Sequence, residues 1–288
     1  DPLWSRGLGD VYKRQLLMLG IALFVTEYLS EEKIQTKRTM VSILAMVVGC
    51  FSKAVYIPFL ALYWLMPKDK FYSRRQKNLF KAGIFVLLIL MFASFILPLI
   101  GNVTSGAEVG DYRGGDTSQT SQLSMILGYP LTYTGVLLKS LGTTFASYFI
   151  GSKVLANFAY RGIYDGIGYF VVLLTMLFTF VTDFGMTEKT YDAQMKRKIL
   201  MMKIWNAVLI FGTACLVWTA LYLDFTPVGS MVINGVSPRY YLPLIFPLSL
   251  IFINQKVRCS MKLENYQSLI AFLMLIGTGI SIYCLMLA

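Results

Sequence analysis

Gly83–Gly101 reads G-I-F-V-L-L-I-L-M-F-A-S-F-I-L-P-L-I-G, nineteen residues without a charge. A helix of that length is about 28 Å long at 1.5 Å per residue, close to the roughly 30 Å hydrocarbon core of a bilayer. Its two flanks differ. Before it, Pro67–Lys81 carries Lys68, Lys70, Arg74, Arg75, Lys77 and Lys81 against one acid, Asp69. After it, Asn102–Gln122 is polar, rich in Gly, Ser and Thr, and holds Glu108, Asp111, Arg113 and Asp116. An apolar run with one strongly basic end reads as a membrane span whose basic end faces the cytoplasm.

The same pattern extends outward. Gly166–Thr182, Trp205–Leu223, Tyr240–Ile253 and Gln267–Ala288 are also nearly free of charge. Hydrophobic residues make up 56% of the chain and charged residues 14%, against about a quarter charged in a soluble domain. The predicted fold is an all-α integral membrane protein, a multi-span helical bundle of about seven to eight membrane helices. Three alternate basic loops, 67–81, 183–203 and 255–264, hold fourteen Lys and Arg. The longer opposing regions, 102–164 and 224–239, hold five: Arg113, Lys139, Lys153, Arg161 and Arg239. The first set is therefore expected in the cytoplasm and the second outside. Leu123–Gly162 is only moderately apolar and reads as helices at the membrane interface.

The formal charge of +11 belongs to these topology-setting loops, so no nucleic-acid partner is expected. The expected partner is the lipid bilayer. The chain has no histidine, which removes a histidine base and any histidine metal site. Cys50, Cys215, Cys259 and Cys284 are isolated and suggest neither a metal centre nor a redox pair. No cofactor is indicated.

Ser5–Gln15, S-R-G-L-G-D-V-Y-K-R-Q, matches the translated read-through of a common transposase-based sequencing adapter. Residues 1–15 are accordingly expected to be non-native and are set aside from fold reasoning. Native sequence then starts at Leu16, inside an apolar run. Residues 16–288 are expected to be the C-terminal part of a single polytopic domain, truncated at its N-terminus, with an extracytoplasmic region at 102–164.

Thr39–Met66 spans 28 residues, about 42 Å as one helix, too long for a simple crossing. Basic residues lie at both ends. Two short helices, out and back, with the turn at Ser52-Lys53, satisfy both facts; one tilted helix is the alternative.

Three segments carry candidate chemistry. Lys53 interrupts an apolar stretch, where an ionisable residue is costly. It is either a lysine reaching up to the interface or a fixed cation for a lipid-linked phosphate. Gly110–Asp116 offers glycines, an arginine able to fork onto phosphate, and Asp111 and Asp116 as acceptors for sugar hydroxyls; the plainer reading is a solvated turn. Thr226-Pro227-Val228-Gly229 through Pro238-Arg239-Tyr240-Tyr241 places Arg239 at the outer boundary with two tyrosines. These are either headgroup anchors or part of a binding site. Together, Lys53, Arg113 and Arg239 are expected to converge on one extracytoplasmic cleft.

Taken in order, F-S-K-A-V-Y-I-P at Phe51–Pro58, D-Y-R-G-G-D at Asp111–Asp116 with Gln122 and Pro130 after it, and T-P-V-G…I-N-G-V-S-P-R-Y-Y-L-P-L at Thr226–Leu244 resemble the bacterial membrane-protein family catalogued as domain of unknown function 2142. Lys153–Asp165 departs from the glycine–tryptophan pattern associated with that family. The family in turn is similar to the glycosyltransferase C superfamily. That resemblance implies a multi-pass protein of the bacterial cytoplasmic membrane that uses a polyprenyl-phosphate-linked sugar at the outer face and passes it to an envelope glycan. The superfamily's proline–arginine–tyrosine helix start is similar to Pro238-Arg239-Tyr240, and, with the candidate cations above, Lys53, Arg113, Arg239 and Tyr240 are expected at the lipid phosphate. The superfamily's catalytic aspartate lies N-terminal of Leu16, so no residue here is assigned that role and this chain alone is expected to be inactive. The alternatives are a transporter or flippase of lipid-linked glycans, or a non-enzymatic partner in envelope assembly.

Overall fold

The computed structural model describes residues 3–51, 53–105, 117–158, 162–182, 192–253, 257 and 259–287. Apart from one isolated antiparallel bridge between Asn157 and Ile163, the described residues contain no β-structure. Three helices among them are long and apolar enough to cross a membrane. These are the segment Arg74–Leu97 of α3 (Arg74–Ser105), α8 (Ala193–Phe225) and α10 (Leu263–Leu287). Each turns a row of apolar side chains outward. Phe85, Val86, Ile89 and Leu90 on α3, Val208 and Phe211 on α8, and Phe272 and Leu275 on α10 are exposed. Such rows are unfavourable in water and ordinary against lipid chains.

Two further expected spans are short: the first covers nearly the whole run read from the sequence, and the second less of its own. α7 (Ile167–Thr182) has 16 residues and α9 (Leu242–Ile251) has 10, about 24 and 15 Å of helix. Three full-length spans and several shorter apolar helices are thus what the described residues establish.

The described chain forms two compact units. The first comprises Asp1–Gly142 and Ile204–Ser237. Its core joins α1 (Leu3–Leu29) and α2 (Thr36–Cys50) to a 3-10 helix at Ala54–Leu65, with Leu17, Ile21, Phe24, Met46, Ile57, Phe59, Leu60 and Tyr63 all fully buried. α1 begins well before Leu16: nothing in Ser5–Gln15 is a proline, and a nucleated helix propagates through such a segment. α1 and α2 cross closely at Gly20. A Cβ there would lie 2.5 Å from Met46 Cγ and 2.9 Å from the Ser42 carbonyl oxygen. Small residues permit such approach between apolar helices. The Ser42 hydroxyl donates to the Gly20 carbonyl (2.6 Å) and accepts from the Tyr63 hydroxyl (2.5 Å). Gly20→Val is therefore expected to overpack this crossing by about 1–3 kcal/mol, read as a lower thermal midpoint in detergent. An unaltered midpoint would show that the two helices can part freely.

The break near Lys53 is real. α2 stops at Cys50, Lys53 is extended (φ −149°, ψ 100°), and the 3-10 helix follows, with Pro58 inside it. One unbroken helix from Thr39 to Met66 is excluded. The chain also returns to its starting side. The Ile34 amide donates to the Lys70 carbonyl (2.9 Å) and the Lys33 ammonium to the Asp69 carbonyl (2.7 Å). Most tightly held is Lys70 itself. It is 1% exposed, and its ammonium donates to the Ser30 carbonyl (2.6 Å), the Ser30 hydroxyl (2.5 Å) and the Glu32 carbonyl (2.9 Å). Alongside, the carboxylate of buried Glu27 accepts from the Gln35 amide (3.0 Å) at the start of α2 and lies 3.6 Å from the Arg38 guanidinium. The limbs also match in length. Fifteen α residues reach about 22 Å, and twelve 3-10 residues reach about 24 Å.

The second unit comprises Thr143–Lys203 and Pro238–Ala288. α7 and α10 pack antiparallel. At one end a Cβ on Gly168 would lie 2.4 Å from the Gly277 carbonyl oxygen; at the other, the Thr182 and Tyr266 hydroxyls share a 2.9 Å hydrogen bond. The end of α5 (Pro130–Phe149) and α6 (Ser152–Leu155) complete this unit with α9.

Candidate functional site

In the first unit the polar architecture concentrates where α8 ends. The last carbonyls of a helix have no intrahelical donor, and those of α8 are served by a residue about a hundred positions away. Gln122 lies on α4 (Gln119–Gly128), whose N-cap is Ser118, and is fully buried. Its Nε2 lies within hydrogen-bond distance of the carbonyls of Tyr222 (3.1 Å), Thr226 (3.1 Å) and Pro227 (3.3 Å), its two N–H groups being shared among the three. Its Oε1 accepts from the Gly229 amide (3.4 Å). One carboxamide thus caps α8 and holds the T-P-V-G turn.

Further bonds close the loop. The buried Thr226 hydroxyl donates to the Leu221 carbonyl (3.1 Å) and accepts from the Asn234 amide (3.0 Å). The Tyr222 hydroxyl reaches the Ser230 carbonyl (3.4 Å). Gly229 and Gly235 have φ of +79° and +78°, a region in which L side chains are strained. A Cβ on Gly235 would also lie 2.3 Å from the Phe225 ring. Next to this, Gln119 Nε2 donates to Asp224 Oδ1 (2.6 Å). Gln122, the companion of the second motif, is therefore joined to the third motif, while Asp111–Asp116 lie outside the described residues. In the sequence Gln122 is only a companion of the second motif, and no local pattern announces its role.

A shallow recess of about 210 Å³, including its open mouth, lies beside the loop between Met125, Tyr129, Tyr133, Tyr222 and Met231. The Tyr133 and Tyr222 rings sit 5.1 Å apart. Burial pushes the Tyr133 phenol above its ordinary range, opposed by its 2.5 Å hydrogen bond to Thr219.

In the second unit Pro238–Tyr240 forms a 3-10 turn that leads into α9. The Tyr241 amide donates to the Pro238 carbonyl (2.8 Å). Arg239 is exposed, and its guanidinium carbon lies 5.6 Å from the centroid of the Tyr240 ring, a cation–π distance. Tyr241 is no interfacial anchor. It is 1% exposed and packs edge-on against Tyr148 (5.4 Å) and Phe149 (4.9 Å). Of the two tyrosines, only Tyr240 stands beside the cation.

Lys53 is half-buried at the turn between α2 and the 3-10 helix. Arg113, Asp111 and Asp116 lie outside the described residues. Lys53 and Arg239 belong to different units, and each is described within its own. Among the described residues no group of three or more Cys, Asp or Glu is placed to hold a metal ion.

A family model described as "Predicted membrane protein (DUF2142)" matches residues 15–248. Comparison with curated proteins returns no match, and neither does comparison with solved structures.

Proposed function

The chain belongs to the DUF2142 family of predicted membrane proteins, and from that premise we propose that it is part of a bacterial inner-membrane glycosyltransferase. In this reading it works at the extracytoplasmic face on a polyprenyl-phosphate-linked sugar destined for an envelope glycan. The supporting observation is the braced loop at the end of α8. That helix begins among Lys196, Arg197 and Lys198, so the positive-inside rule puts its other end outside. There the chain forms an ordered turn rather than a simple connection. Lys53, Arg113, Arg239 and Tyr240 are assigned to the lipid-linked phosphate, and Asp111 and Asp116 to sugar hydroxyls. Charge-assisted bonds to phosphate are strong where water is scarce. One feature favours the alternative of translocation: Asn206 and Thr213 are fully buried polar residues within the span α8, and polar residues inside spans mark transport pathways.

The test is reconstitution in liposomes with a labelled polyprenyl-phosphate sugar. Lys53→Met, Arg113→Met and Arg239→Met are each expected to weaken donor binding about 10- to 100-fold, as for loss of one hydrogen bond to a charged group. Unchanged binding in all three would remove the phosphate assignment. Sugar transfer is not expected of this chain alone, so the deciding outcome is movement: passage of labelled glycan across the bilayer would replace the transferase by the transporter.

A further inference from the structure

The loop that follows α8 carries an apolar ridge on its outer side. Between Asp224 and Arg239 there is no charged residue. Thr226 is fully buried, and so is the Gln122 side chain that serves the loop's backbone, while Asn234 is exposed. Ile233 is buried, but three of the loop's apolar groups turn outward. Val228, Met231 and Val232 are 45%, 59% and 64% exposed. The corner between α4 and α5 has the same character, with Leu127, Tyr129 and Leu131 at 73%, 66% and 87%. The two edges adjoin, since Met231 and Tyr129 line one recess. Slack does not explain the exposure. The loop is pinned at Thr226–Asn234 and Tyr222–Ser230, and the Ser230 hydroxyl bonds both the amide and the carbonyl of Val232.

In water this arrangement is backwards. A solvated loop gives its carbonyls to water and gains nothing by turning valines outward. Against lipid it is what the physics requires. Irregular backbone is kept out of the hydrocarbon core but can sit at its edge when its polar groups find partners in the protein, and Gln122 shares its two N–H donors among three carbonyls and accepts from one amide. The ridge is also continuous in sequence with α8, a helix long and apolar enough to span.

We propose that the ridge formed by residues 228–232 and the α4–α5 corner is seated in the lipid leaflet at the C-terminal end of α8, at the boundary between headgroups and acyl chains. The partner is the bilayer lipid itself. Tyr129 contributes the amphipathic ring favoured at that depth. This goes beyond the transferase reading and does not depend on it.

The test uses the whole chain in liposomes, with Cys50, Cys215, Cys259 and Cys284 replaced by serine or alanine. Single cysteines at positions 228, 231 and 232 are labelled with a polarity-sensitive fluorophore. Quenching by lipids bearing a nitroxide near the headgroup is expected to exceed quenching by aqueous iodide several-fold at all three. These positions are exposed, so labelling does not threaten the fold. In a second variant, Val228→Asp with Val232→Asp, the probe at 231 is expected to lose its lipid quenching and become open to iodide. Dominant iodide quenching without the aspartates would overturn the proposal. Protection from both quenchers would also overturn it, because it would mean that protein covers the ridge.

Discussion

Gln122→Leu is expected to destabilise the protein by about 2–5 kcal/mol, the cost of leaving several buried polar groups unmade at about 1–3 kcal/mol each with partial relaxation. Leucine is close in size, so packing is nearly conserved and the loss is one of hydrogen bonds. Three carbonyls and the Gly229 amide lose their partner. Gln122→Glu separates size from bonding more sharply. It keeps the shape but replaces the donating NH2 by an oxygen that faces three carbonyl oxygens. Both variants should melt earlier in detergent and should open positions 228–232 to thiol labelling. A midpoint unchanged in both would mean that the loop does not rely on this carboxamide.

Lys70→Met is expected to cost about 3–5 kcal/mol, since each hydrogen bond to a charged group contributes roughly 1.5–3 kcal/mol and part of the loss is recovered by no longer burying the charge. Methionine keeps most of the aliphatic stem and removes the ammonium that joins residues 66–72 to Ser30 and Glu32. Arginine is a poor substitute, because its planar fork does not fit three acceptors gathered about a point. The control is Lys68→Met. Lys68 is two residues away and exposed, so its loss removes the same charge from the same loop but should shift stability by less than about 0.5 kcal/mol. If both variants melt alike, charge balance rather than the buried contact sets the effect. Thermal unfolding of the two side by side, with membrane insertion checked in cells, decides between them.

The reach of the sequence reading follows from the range of the forces involved. α3, α8 and α10 were legible because hydropathy is a property of each residue and sums along the chain. The turn at Lys53 was legible for a different reason: 28 residues with basic ends and a polar break at Ser52-Lys53 fit two short limbs better than one tilted crossing. The second limb's 3-10 geometry was not, since it reflects Pro58 and the packing of Phe59, Leu60 and Tyr63 rather than a local pattern. Lys70 read as one more cytoplasmic cation, because nothing nearby shows that Ser30 and Glu32 fold onto it. Tyr241 read as an anchor beside Tyr240, and only its contact with Phe149, ninety-two positions earlier in number, puts it inside. Gln122 is the sharpest case. A buried glutamine is recognisable only by its partners, and these lie beyond residue 221.

The matched limbs of the hairpin Thr36–Leu65 have a mechanical corollary. At about 22–24 Å each, they are several ångströms shorter than an average hydrocarbon core of about 30 Å. A bilayer that receives such an element adjusts by thinning around it, at a cost of fractions of a kcal/mol per ångström. The polar tip at Lys53 favours that deformation, since an ammonium draws headgroups and water down toward it. The hairpin would therefore act as a dimple in one leaflet. Any lipid diffusing in the plane would meet a headgroup region locally lowered at that point.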